Sequence, residues 1–72
     1  MRIREKEIIK IIVTTVKDLQ QYCSKEEIVS YLDCNIIMSK KLGHTNEFME
    51  MLYFIRYYYN IGGTEKWEIM KI

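Results

Sequence analysis

Ile8, Ile9, Ile12, Val16 and Leu19 return at steps of three and four residues, a spacing that predicts an amphipathic helix from about Arg4 to Tyr22. Lys6, Glu7, Lys10, Thr14, Lys17, Asp18 and Gln21 project from its opposite face, so the apolar side has to be covered by the rest of a 72-residue chain. That length holds one domain, residues 1–72, and a core of this size is marginal enough to make a partner subunit an expectation. Ile11 falls beside the main stripe with Thr15 and Tyr22, and it reads as a single exposed aliphatic in preference to a second contact strip.

Ser24 opens a second helix, because Glu27 three residues later completes a capping box and Glu26 and Glu27 both suit the positive end of the helix dipole. Ile28, Val29 and Leu32 give that helix a short buried face, and it is expected to stop near Asp33 to Asn35. In residues 35–44, Ile36 to Met38 suit a short strand and Ser39 to Leu42 a helical turn, before Gly43 interrupts the chain. Thr45 or Asn46 then caps a third helix carrying Phe48, Met51, Leu52, Ile55 and Tyr59 on one side. Tyr57 to Ile61 and Glu65 to Ile72 flank Gly62-Gly63-Thr64, and that composition predicts a β-hairpin with Trp67 and Ile69 on one face of its second arm. Phe48, Tyr59 and Trp67 are expected in the core.

Eleven Lys and Arg against ten Asp and Glu leave a net charge of +1, well short of the basic excess common among nucleic-acid binders. Two cysteines, Cys23 and Cys34, and a single histidine, His44, fall short of a four-ligand zinc site, so neither metal nor cofactor is expected. The thiols read as reduced and the chain as intracellular, a Cys23–Cys34 bridge being the alternative. No apolar run approaches the ~20 residues of a membrane span. No nucleophile, base and orienting group stand together in the pattern, so no enzyme and no small-molecule substrate are expected.

Helix, short helix, connector, helix and hairpin is an α+β order that resembles the winged helix-turn-helix family of small DNA-binding regulators. The likeness rests most on the passage from Leu52 through the Tyr57–Tyr59 run and Gly62-Gly63 to Ile69, which is similar to a recognition helix leading into a wing. It implies sequence-specific binding of double-stranded DNA, with homodimers reading two-fold sites, as in regulators of viruses and plasmids, archaeal ones included. Under that resemblance Ser39, Lys40, Lys41, His44, Thr45 and Asn46 would clamp phosphate at the start of the third helix. Asn46, Glu50, Tyr53 and Tyr57 would face the groove, where the Glu50 carboxylate repels phosphate unless it accepts from a cytosine amino group, and Lys66 would sit at the wing tip. One departure is plain: a connector of about ten residues exceeds the three or four of a tight helix-turn-helix. Tyr53, Phe54, Tyr57 and Tyr58 around Arg56 also support another reading, a protein-interaction or dimerisation module using the aromatic face of the third helix.

Overall fold

The computed structural model describes the backbone of residues 1–70 and the side chains of residues 1–67. Three α-helices, α1 (Ile3–Leu19), α2 (Lys25–Leu42) and α3 (Asn46–Gly62), are followed by a 3₁₀ helix over Gly63–Met70. No strand occurs among the described residues. The expected α+β fold with a C-terminal hairpin is therefore corrected to an all-helical one.

The reason lies in the period of α3. Phe48, Leu52, Ile55 and Tyr59 are all buried, at steps of four, three and four, so Tyr57 to Ile61 continue the helical stripe instead of opening a strand. Gly62 and Gly63 end the helix: Gly63 adopts a φ of 72° as its C-cap, with its N–H donating to the Tyr59 carbonyl. Beyond it the chain folds back, and Trp67 inserts beneath α3 with its indole N–H donating to the Ile55 carbonyl at 3.1 Å. The tertiary contact overrides the strand preference of the aromatic and β-branched residues. For the expected second arm, the side chains of residues 68–70 and all of residues 71–72 lie outside the described residues.

Helix α2 also exceeds its expected length. Ile28, Leu32, Ile36 and Ser39 are buried in succession, so the stripe runs past Asp33 to Asn35 without a break, and Asn35 turns its side-chain amide to the Tyr31 carbonyl at 2.9 Å. Ser24 and Glu27 form the expected capping box, with hydrogen bonds of 3.2 and 3.0 Å. Gly43, with a φ of 74°, closes the helix, and only Gly43, His44 and Thr45 separate α2 from α3. A Cβ at Gly43 meets no neighbour, so the left-handed backbone is the only obstacle to another residue there. Gly43→Ala is expected to lower stability by about 1 kcal/mol in denaturant melts and to leave the helical spectrum intact.

The three-residue connector does not make a helix-turn-helix. In that motif the helices cross steeply and meet near their turn. Here Asp33 and Arg56 pair in the middle of α2 and α3, and Lys25, Glu26 and Val29 share a cleft with Asn60 at the end remote from the turn. The two helices therefore run antiparallel side by side as a helical hairpin. Ile9, Ile12, Val13 and Val16 of α1 complete the core with the α2 and α3 stripes and Trp67. Cys23 and Cys34 are free thiols. Among the described residues no helix is long and apolar enough to cross a membrane.

Candidate protein-docking face

At the junction of α1 and α3, Glu5 is 1% exposed and makes four polar contacts. Its Oε1 accepts from the Arg2 N–H at 3.0 Å, capping α1, and from the Thr45 hydroxyl at 2.8 Å. Its Oε2 accepts from the Thr45 N–H at 2.9 Å and lies 3.0 Å from His44 Nδ1. Thr45 in turn caps α3 by accepting from the Phe48 N–H at 3.3 Å. Burial works to raise the Glu5 pKa, but the N–H groups of Thr45 and Arg2, the Thr45 hydroxyl and His44 outweigh it and hold the carboxyl at about 2. The carboxylate thus sits against the positive ends of two helices.

Thr45 and His44 are engaged with Glu5, and Ser39 is buried against the core. Lys40, Lys41 and Asn46 are exposed, with the Lys40 ammonium 5.6 Å from the centre of the Tyr53 ring. Lys66 belongs to the 3₁₀ helix and not to a wing tip, and the 17 residues of α3 separate it from the Lys40–Asn46 end by about 25 Å of helix axis. Of the expected site, the structure brings together Lys40 and Tyr53, with Tyr57 one turn further along α3.

Those tyrosines belong to a broader face. Tyr53, Phe54 and Tyr57 are 43, 50 and 57% exposed and, with Glu50, line an open depression of about 640 Å³. Tyr53 also borders a groove between α2 and α3 formed with Asp33, Ile36, Ile37, Lys40 and Arg56, which joins the exposed Ile37 to the aromatic stripe. Tyr58 anchors the rings: it stacks with Phe54 at 6.0 Å and meets Tyr57 edge-on at 5.3 Å, while packing partly against the core. Arg56 donates to Asp33 through Nε at 2.7 Å and Nη2 at 3.4 Å, and that carboxylate raises the guanidinium pKa against the effect of burial.

The pattern of this face is helical and repeated. Glu50, Phe54, Tyr57 and Ile61 follow steps of four, three and four, the same spacing as the buried stripe of Phe48, Leu52, Ile55 and Tyr59. Helix α3 accordingly has two seams of the kind that accept a neighbouring helix, one filled by the protein's own core and one facing outward. Ile3, Ile11 and Tyr22 are also exposed, and single exposed apolar residues need no partner.

Among the described residues no group of three His, Cys, Asp or Glu side chains has the arrangement of a metal site. Glu5 was the residue sequence reasoning missed, although its signal is visible: it extends the stripe of Ile9, Ile12 and Val16 one turn toward the N-terminus, placing a carboxylate on the apolar face. No family model matches the chain, and neither a curated protein nor a solved structure gives a significant match.

Proposed function

We propose that this chain is a small helical docking module whose outward face of Tyr53, Phe54 and Tyr57, joined by Ile37, receives an amphipathic helix. The observation that carries the reading is the contiguity of those half-exposed rings on a seam with helical spacing, opposite the buried side of α3. Contiguous apolar patches on a monomer mark interaction sites far more often than scattered ones. Each ring leaves roughly 100 Å² to be removed from water, about 2–3 kcal/mol apiece, and the Tyr58 contacts reduce the cost of ordering them. The mixed signs of Asp33, Arg56, Lys40 and Glu50 form a polar rim around an apolar centre.

Binding of double-stranded DNA retains Lys40 and Lys41 as its support, without the strands of a wing among the described residues. A synthetic amphipathic helix with leucines spaced four, three and four residues apart, titrated while the Tyr53, Phe54 and Tyr57 ring resonances are followed, separates the two readings. The peptide is expected to shift those resonances. Phe54→Glu should weaken it by about 30-fold or more, the effect of removing an aromatic hot spot, with helical content unchanged. Lys40→Glu with Lys41→Glu should leave the affinity within about threefold, as expected of charges at a rim. Shifts centred elsewhere, or a Phe54→Glu affinity equal to that of the unaltered chain, would overturn the docking reading. A salt-dependent duplex mobility shift lost in the double lysine variant would favour DNA.

A further inference from the structure

Resting on the docking reading, we infer that the helix received by this face is α3 of a second copy, paired antiparallel about a two-fold axis between Tyr53 and Phe54. The argument is the order of groups along the seam. The depression holds a carboxylate, two rings and a phenol in sequence, Glu50, Tyr53, Phe54 and Tyr57. Laid parallel, two copies would set Glu50 against Glu50, bringing like charges together beside an apolar surface. Reversing one copy sets Glu50 of each chain opposite Tyr57 of the other, where the carboxylate can accept from the phenol hydroxyl, and places Tyr53 and Phe54 against their counterparts. The stripe is therefore complementary to itself in one orientation only, as an isologous contact requires.

The surrounding charges agree with this occupant. Lys40 and Arg56 balance Asp33 and Glu50 around the face, and the whole chain carries only +1, so two copies approach without appreciable repulsion. Ile37, which borders Tyr53 in the groove between α2 and α3, comes to the edge of the same contact. Pairing two α2–α3 hairpins in this way gives a four-helix arrangement in which the exposed aromatic seam becomes interior.

Sedimentation and disulfide trapping test the pairing. The unaltered chain should sediment as a dimer at ~100 µM and dissociate on dilution, while Phe54→Glu should remain monomeric at the same concentration. For the register, Asn46→Cys and Ile61→Cys are made separately in a Cys23→Ser, Cys34→Ser background. The antiparallel axis sets position 46 of one chain opposite position 61 of the other. Each position is then separated from its own copy by about 22 Å along the helix, beyond the ~7 Å that a disulfide spans. A mixture of the two variants should cross-link and neither variant alone should. Cross-linking of each variant to itself would overturn the antiparallel pairing. A chain that stays monomeric yet still takes up the amphipathic peptide would overturn the second copy and leave the docking face standing. A monomer that ignores the peptide would remove both.

Discussion

Replacing Glu5 by Ala is expected to lower the melting temperature by at least about 10 °C, a large loss for a domain of this size. The carboxylate is the common acceptor for the N-terminus of α1 and for the cap of α3, which lies 40 residues beyond Glu5 in the chain. Its removal leaves the part-buried Arg2 and Thr45 N–H groups without their acceptor, and a donor so abandoned costs more than its hydrogen bond contributed. Glu5→Gln keeps the volume but turns an amide donor toward either the Thr45 N–H or the Arg2 N–H, so it is expected to recover only part of the loss. Thr45→Val removes the hydroxyl that joins Glu5 to the α3 cap. Combined with Glu5→Gln it should destabilise by clearly less than the sum of the two single changes, since both break one network. Additive effects would show that Glu5 and Thr45 act separately.

The same carboxylate fixes the sign of the acid response. Glu5 titrates at about 2 in the folded chain, below its ordinary value of 4.5, so the folded state binds its proton less readily than the unfolded state does. Its contribution is complete above the unfolded value and is lost as the pH falls from about 4.5 through 2. Glu27 is lowered in the same direction by the Ser24 N–H and hydroxyl, and it adds to the loss on the acid side. Thermal melts between pH 6 and 2 should fall more steeply for the unaltered chain than for Glu5→Gln. Equal slopes would remove Glu5 from the acid response.

What could be read from residues alone followed local physics. Ser24 with Glu27, Thr45 as one of two caps, and the α3 stripe of Phe48, Leu52, Ile55 and Tyr59 each depend on groups within one or two turns, and each stands as expected. The errors came where distant contacts choose between two permitted conformations. Ile36, Ile37 and Met38 suit strand or helix equally, and burial of Ile36 and Ser39 in register with Ile28 and Leu32 decides for helix. The aromatics before Gly62 and Gly63 resemble a hairpin arm until Tyr59 is seen to complete the α3 stripe. The mistaken end of α2 then lengthened the connector and concealed the helical hairpin. On the outward side of α3, angular position alone sets Tyr53 and Tyr57 away from the buried stripe, and both are exposed, while Phe54, at the margin between the two faces, proves 50% exposed.

Trp67→Ala is expected to cost about 3–5 kcal/mol, the usual range for emptying the site of a buried large aromatic. A 72-residue chain has roughly 4–10 kcal/mol of total stability at typical values per residue, so this one truncation takes a large fraction of it. The indole is 3% exposed, lies 6.0 Å from the Tyr59 ring, and donates to the Ile55 carbonyl from beneath α3. Among the described residues it is the 3₁₀-helix side chain buried with the core of α1, α2 and α3. Trp67→Phe keeps most of the apolar contact and gives up the hydrogen bond, so a smaller loss of about 1–2 kcal/mol is expected. Denaturant melts followed by circular dichroism measure both. A change of less than about 0.5 kcal/mol for Trp67→Ala, as surface substitutions give, would remove Trp67 from the core. Because Trp67 is the only tryptophan, its fluorescence adds a direct check: a buried indole is shielded from aqueous quenchers until the cooperative transition, whereas an exposed one is quenched from the outset.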